Sequence, residues 1–349
     1  VATIPTDCWY AVASSSGIER ALTPLRAAGR PVVLFRTTRG DVVALEDRCA
    51  HRAYPLSAGT LDGDVVRCGL CGFGYDAGGR CVSVPTQPRV PLGAVVPAFP
   101  TREADGLVWA WFGEPGRARL HRVPELPWLA RDGWATVAGR QTVEAGFLLL
   151  HENFADVTQV PFVAPEIAPA VLDAAAPDLS VVVSETSVSL RREFPPAPLP
   201  AWQSELLGHK ADEPFEHLQE GYFLSPAVWV DHWDVRADGG DWQRLRFTQL
   251  VTPIDDRTSS LMWRVSRDFA VDEPSATQRL ADVFGTYYAK VIAAMTTAQR
   301  VLDVDGPGAE VNVSADVAAL KVREIVAAML AEQTEAAART RRRPGPRTK

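Results

Sequence analysis

Two short groups of soft ligands restrict this chain more than anything else in it. Cys49-Ala50-His51 is followed, after sixteen residues, by Cys68-Gly69-Leu70-Cys71. Thiolates and an imidazole on two loops can enclose a metal centre, and thiolate donors favour zinc or iron–sulfur clusters over hard cations. The chain has 5 Cys in 349 residues, too few for a disulfide framework. Cys8 stands alone, and Cys81 trails the second group. A structural zinc site and inert core cysteines are the competing readings of the residues by themselves.

The surrounding sequence reads as short strands. Pro31–Arg36 and Asp41–Leu45 flank Arg39-Gly40 as a hairpin, and Gly63–Arg67 and Gly106–Phe112 continue the style. Residues 1–120 are therefore expected to form a small antiparallel β-domain. Beyond the Pro-marked connector Val123–Trp128 the pattern changes. Val143–Phe154 is helix-like, with Pro161 marking its end. Strand-like segments follow at Leu179–Val188, Gly221–Trp233, Trp242–Val251 and Ser260–Phe269, then helices from Pro274 to about Leu302 and from about Ala315 to Ala338. The expected class is α+β, with a second domain at 121–335 and a basic, disordered tail at 336–349.

Composition excludes several classes. Hydrophobic residues are 46% and charged residues 23%, a globular balance. A net charge of −7 disfavours a general nucleic-acid binder. No apolar run reaches membrane-span length, and Val1–Val12 lacks a signal-peptide pattern, so a cytoplasmic protein is expected.

The cysteine groups and their neighbours resemble the Rieske domain of Rieske non-haem iron oxygenases. Cys49-Ala50-His51-Arg52-Ala53-Tyr54-Pro55-Leu56-Ser57 is similar to the family's first loop and Cys68-Gly69-Leu70-Cys71-Gly72-Phe73-Gly74-Tyr75-Asp76 to its second. Cys8–Ala13 resembles its opening strand. The resemblance implies a [2Fe–2S] cluster held by Cys49, His51, Cys68 and Cys71. It differs at Cys71, where the family has its second histidine. Exchanging an imidazole for a thiolate adds negative charge, so a cluster with three Cys and one His is expected to accept electrons less readily.

Glu152–Ala164 resembles the family's catalytic helix, particularly in the O-demethylase branch. That branch carries Asp-x2-His-x4-His. Here Asp156 stands, but the histidine positions are Gln159 and Ala164. The third iron ligand belongs on a C-terminal helix, and no Asp or Glu occurs from Val283 to Leu302. No mononuclear iron is therefore expected. The resemblance further implies a helix-grip second domain with an apolar cavity, and a homotrimer.

These readings lead to an expected redox-neutral enzyme: a cofactor-independent cyclase or isomerase, pericyclase-like, acting on a hydrophobic, polyketide-like intermediate of antibiotic biosynthesis. Asn153, Asp156, Gln159, His232 and Tyr288 are its candidate catalytic residues. Trp229, Trp233, Gln249 and Trp263 are its candidate substrate-binding residues. The alternatives are a non-catalytic partner of an active oxygenase and a Rieske-type oxidoreductase with an atypical cluster.

Overall fold

The computed structural model describes residues 3–156, 158–169, 179–210 and 212–342. It divides into two compact units: Ile4–Glu125 with Thr252–Asp255, and Leu126–Val251 with the chain from Asp256 and the first residues.

The N-terminal unit contains β1 (Trp9–Ser14), β2 (Thr23–Ala27), β3 (Arg30–Arg36), β4 (Val42–Glu46), β5 (Thr60–Asp62), β6 (Val65–Arg67), β7 (Gly74–Tyr75), β8 (Cys81–Ser83), β9 (Ala98–Phe99), β10 (Thr101–Ala104) and β11 (Leu107–Trp111). They form three small sheets, ordered β1-β11-β10, β2-β3-β4-β9 and β5-β6-β7-β8. The expected hairpin is β3–β4, paired from Val32↔Glu46 to Arg36↔Val42, and Gly40 supplies the left-handed turn at φ 94°. Val33, Phe35, Leu45, Leu56, Val66 and Tyr75 form a buried cluster around Cys49 and Cys68. The two cysteine loops, β4–β5 and β6–β7, thus stand on a packed base.

The C-terminal unit contains β12 (Ala135–Val143), α1 (Phe147–Ala155), α2 (Val160–Val163), β13 (Ser180–Val183), β14 (Val188–Pro198), α3 (Ala201–Leu207), β15 (Pro214–Ser225), β16 (Val228–Ala237), β17 (Gln243–Pro253), β18 (Ser259–Arg267), α4 (Pro274–Asp305) and α5 (Val317–Arg342). Its seven strands form one sheet in the order β12-β18-β17-β16-β15-β14-β13. Leu280, Phe284, Tyr288 and Val291 recur on one face of α4 and are buried in the core with Phe247, Trp263 and Val265 of the sheet. Each such side chain contributes about 1.5–3 kcal/mol through burial. The expected α+β class, an antiparallel β-domain before a mixed domain, is what forms.

Three segments differ from their sequence reading. Gly221–Trp233 is two strands, because Pro226-Ala227 turns the chain between β15 and β16. Leu179–Val188 is likewise broken at Ser184–Ser187, where Ser184 N donates to Ser187 O. Residues 336–342, read as the start of a disordered tail, continue α5: this stretch is rich in Ala and Arg, strong helix formers, and Arg339 pairs with Glu335 one turn earlier. Positions 343–349 lie outside the described residues. Among the described residues no helix is long and apolar enough to cross a membrane.

Candidate functional site

The two cysteine loops are closed alike. Cys49 N donates to Tyr54 O (2.8 Å) and Ala53 N to Cys49 O (2.9 Å); Cys68 N donates to Phe73 O (2.9 Å) and Gly72 N to Cys68 O (2.9 Å). Both turns need a left-handed residue, supplied by Gly72 at φ 71° and, less comfortably, by Ala53 at φ 57°. These closures bring the Sγ atoms of Cys49, Cys68 and Cys71 within 4.8 Å of one another. Cys49 Sγ and Cys71 Sγ are 3.6 Å apart. His51 lies on the same loop as Cys49 but outside this sulfur group. It is exposed, its ring stacked on Phe73 with centroids 4.9 Å apart. Cys8 is buried with its sulfur 3.8 Å from Pro5 O, and Cys81 Sγ faces Ser83 O at 3.4 Å.

The electrostatics suit a metal. Burial pushes the Cys71 thiol up to about 11, reinforced by hydrogen bonding and charge from its sulfur neighbours. At Cys49 burial also acts upward, but hydrogen bonds from Tyr75 Oη and the His51 backbone, among others, outweigh it and hold the thiol below its ordinary range. Three thiols this close cannot all ionise without a cation among them. Tyr75 Oη, 3.2 Å from Cys49 Sγ and 3.1 Å from Ala50 N, is a supporting group that sequence reasoning missed. Its signal was its place directly after the second loop. The donor set fits a [2Fe–2S] cluster, with Cys49, Cys68 and Cys71 as thiolate ligands and His51 on the same loop system.

A mononuclear iron of the two-histidine, one-carboxylate type does not fit the described residues. All six histidines are placed. His151 is buried with its Nε2 2.9 Å from Pro226 O, His209 meets Glu213, and His217 meets Ala197 O. His232 packs on Trp128 and Tyr222, while His51 and His121 belong to the other unit. At the two positions where the family resemblance implies histidines stand Gln159 and Ala164.

The C-terminal unit has a small cleft, of ≈ 50 Å³, instead. Strand alternation builds it: Arg192 on β14, Gln219 on β15, Asp231 and Trp233 on β16 and Gln249 on β17 share the inward parity. Phe154, Asp156 and Gln159 close it from α1 and the following turn, and Tyr287 from α4. Gly221 keeps it open. A Cβ there would lie 2.8 Å from the Trp229 ring and 3.1 Å from Asp231 Oδ1. Trp229 Nε1 donates to Asp231 Oδ1 (2.8 Å) and Gln249 Nε2 to Asp231 Oδ2 (3.0 Å). Burial pushes the Asp231 carboxyl up to about 7 despite these bonds and the nearby Arg192 charge. The expected apolar cavity is thus corrected to one of mixed character: the inward positions of four successive strands carry Arg, Gln and Asp beside the apolar Phe154, Leu190 and Trp233.

The structure brings some of the sequence-predicted residues together and separates others. Asp156, Gln159, Trp233 and Gln249 line the cleft. Trp229 is buried behind it, bonded to Asp231. Asn153 borders an adjoining hollow that shares Asp156 and Gln159 with the cleft, and its Nδ2 has no partner. Tyr288 and Trp263 are core: their rings stack with centroids 4.7 Å apart, and Tyr288 Oη accepts from Gln249 Nε2 at 3.2 Å. His232 has the opposite strand parity from Asp231 and Trp233 and does not line the cleft. Arg192, Gln219, Asp231 and Tyr287 were missed. Their signal, a polar residue at each inward strand position, appears only once the register is known.

Known proteins agree with this architecture. The Rieske [2Fe–2S] domain family matches residues 8–100, and the vanillate O-demethylase oxygenase C-terminal domain family matches 143–332. A putative toluene-4-sulfonate monooxygenase system iron–sulfur subunit of Comamonas testosteroni is 29% identical over 289 residues, covering 78% of this chain and 82% of its own. The vanillate O-demethylase oxygenase subunit of a Pseudomonas species is 29% identical over 284 residues, covering 78% and 85%. The fold also matches a crystal structure of dicamba monooxygenase bound to 3,6-dichlorosalicylic acid, with a TM-score of 0.89 at 24% identity over 96% of this chain and all of that one. With a thiolate centre on paired loops ahead of a sheet-and-helix cleft, in the order those families share, the chain belongs to the vanillate O-demethylase oxygenase family and carries a Rieske [2Fe–2S] domain.

Proposed function

We propose that this chain is the iron–sulfur and substrate-binding subunit of an oxygenase-type redox system acting on a small organic molecule. One observation carries the reading: the thiolate group of Cys49, Cys68 and Cys71 is built into the same chain as a ligand cleft. A [2Fe–2S] cluster at Cys49, His51, Cys68 and Cys71 would supply one-electron storage. The chain's own groups do the rest. Tyr75 Oη and the loop amides steady the sulfur ligands, and the cleft binds and orients the organic molecule.

The redox-neutral cyclase or isomerase expected from the sequence is corrected here. The relatives are named as oxygenase or monooxygenase components, over 78% of the chain in the two cases above. That expectation treated the loss of iron ligands at Gln159 and Ala164 as a loss of redox chemistry. Yet the thiolate site is retained, and a cyclisation that moves no electrons has no use for it. The polyketide-like substrate and the antibiotic-biosynthesis assignment fall with it, since both rested on that reading. The non-catalytic partner subunit gains no further support.

Three finer points belong to this reading. We place no mononuclear iron in the chain, because its histidines do not form the ligand set. The homotrimer is kept from the family resemblance, and cytoplasmic placement from the thiol-rich centre. Anaerobic reductive titration of the purified protein, with iron and sulfide analysis, tests the main claim. About two irons and about one electron per chain, with bleaching of the visible bands, are expected. A colourless zinc protein that takes up no electron overturns it. Light scattering checks the trimer, and ferrous-ion titration checks for a second metal site.

A further inference from the structure

The strongest run of positive charge in the chain has no part in the cleft or the sulfur centre. Residues 336–349 carry Arg339, Arg341, Arg342, Arg343, Arg347 and Lys349 and no acidic residue, although the whole chain has a net charge of −7. α5 packs against the core as far as Leu330. Beyond it the helix projects about 18 Å further to Arg342, and Ala331, Glu332, Thr334, Glu335 and Arg339 are exposed. A helix C-terminus favours cations in its last turn. That accounts for Arg339, Arg341 and Arg342, but not for Arg343, Arg347 and Lys349 after it. The family match ends at residue 332, so this basic arm is an addition of the chain's own.

The same unit holds a hollow of the opposite charge, ≈ 460 Å³ in volume, among α1, the turn after it, α4 and the start of α5. Glu152, Asp156, Glu310 and Asp316 line it against one cation, Arg323. Arg323 is already shared: its Nη2 donates to Glu152 Oε2 at 2.7 Å and to Glu310 Oε1 at 3.3 Å. Val311, beside Glu310, leaves an apolar side chain 90% exposed. Asn153 is an independent sign that the hollow takes a ligand. It lines the hollow and is 7% exposed, and its Nδ2 is buried with no partner. A buried amide donor is costly until an acceptor meets it. A peptide carbonyl is such an acceptor, and Pro344-Gly345-Pro346 offers carbonyls with only one N–H of its own to satisfy.

The arm cannot reach its own hollow. Arg342 lies about 33 Å along α5 from Leu320, which lines the hollow. The seven residues after Arg342 extend at most about 25 Å. A second copy has no such limit. We propose that the basic arm of one copy lies in the acidic hollow of another, its arginines against Glu310 and Asp316 and a carbonyl of the Pro-Gly-Pro stretch on Asn153. Each copy then gives an arm and receives one, in a ring of copies or in a reciprocal pair. Nucleic acid is another polyanion that suits an arginine arm. Yet no aromatic residue stands between 331 and 349 to stack on bases, and the rest of the chain is acidic. The inference goes beyond the redox reading and does not involve the metal centre.

The experiment uses the purified holoprotein and a variant chain that stops at Glu335. Sedimentation velocity compares their self-association in about 0.1 M and about 1 M salt. In the lower salt the full chain should associate about ten-fold or more tightly than the shortened one, and the higher salt should remove the difference. A labelled peptide of residues 336–349 is then titrated with the shortened chain by fluorescence anisotropy. It should bind with a Kd of about 100 μM or tighter in the lower salt. Glu310→Arg should weaken it about ten-fold, Asn153→Ala about three-fold, and a peptide of the same residues in shuffled order should also bind about three-fold more weakly. Equal self-association of the two chains, weaker peptide binding than this, equal binding of the shuffled peptide, or an unchanged affinity in the folded variants would each overturn the proposal. If Glu310→Arg does not fold, Glu310→Gln takes its place. A DNA duplex bound by the full chain and not by the shortened one, with the peptide unbound, gives the arm to nucleic acid and overturns it too. Iron content and visible spectrum are read on the same samples. Arm docking in a colourless protein keeps this inference and removes the redox reading; a reducible cluster without arm docking does the reverse.

Discussion

The sulfur centre and the cleft are built by opposite strategies. The sulfur ligands lie on two loops between residues 49 and 71, each closed by its own backbone hydrogen bonds and resting on a small core. The cleft draws on α1, β14, β15, β16, β17 and α4, so its lining runs from Phe154 to Tyr287. A local site depends on a few residues that cannot be exchanged. A distributed one spreads its geometry over a sheet register and can lose or gain a polar group without losing its shape. The first kind of site is therefore sensitive to a single substitution, and the second is tolerant of several.

The largest effect should therefore come from a single sulfur. Cys49→Ser should abolish the iron–sulfur chromophore, because Cys49 has both sulfur neighbours and the Tyr75 hydroxyl around it. It should leave the packing of the C-terminal unit unchanged, since that unit has its own core. Visible absorption and near-ultraviolet circular dichroism on one sample check both. Loss of the tryptophan signal of the C-terminal unit along with the colour would break the comparison.

Next in size is Cys71→His, which restores the imidazole that the family has at this position. Replacing a thiolate removes negative charge from the cluster, so the reduction potential should rise, by roughly 100 mV or more. Voltammetry and the visible spectrum report it. An unchanged potential and spectrum would show that Cys71 is not a ligand, although its sulfur lies 3.6 Å from that of Cys49.

The contrast also accounts for what could be read from sequence. Cys49, Cys68 and Cys71 were legible because ligand spacing is local and loop closure needs no distant partner. In the C-terminal unit, element types were legible where periodicity ran long, as in α4 and α5. The cleft was not, because it depends on which face each strand presents. His232 and Asp231 are adjacent in sequence, yet only Asp231 faces inward, and the turn at Pro226-Ala227 that sets this parity lies inside a continuous Val/Trp-rich run. The sequence points to Trp263 as a binding residue, because an aromatic residue on a strand suits a pocket wall. Gly139 opposite it explains its core position instead: a Cβ there would be 2.3 Å from the indole, so the ring lies flat over β12 and stacks on Tyr288.

A smaller effect is expected at Asp231, and its sign depends on pH. The carboxyl is raised by burial from an ordinary 3.8 to about 7, and the groups facing it are Arg192 from β14 and Tyr287 and Tyr288 from α4. Between those values the folded protein holds a proton that the unfolded chain releases, so this group makes stability fall as pH rises through the window. Asp231→Asn removes that fall. The variant should gain about 1–2 kcal/mol over the native protein at pH 8 and much less at pH 5, in urea melts at both. A gain that is equal at both pH values would place the cause in packing rather than charge.

The smallest expected effect is at Tyr287, and it measures how far the cleft tolerates change. Its ring is buried, and its hydroxyl accepts a long, 3.3 Å bond from Nε2 of the half-buried Gln159. Tyr287→Phe keeps the ring that packs against Phe284 and Tyr288 and removes only that acceptor. A neutral hydrogen bond contributes about 0.5–1.5 kcal/mol, and a long one belongs at the lower end. Freed from it, the Gln159 amide can rotate and offer its N–H or its carbonyl to a ligand. Stability in urea melts should fall by less than about 1 kcal/mol. A loss near 2 kcal/mol would mean that the Gln159–Tyr287 pair is as indispensable to the cleft as Cys49 is to the sulfur centre, and that the two regions are not built on different principles.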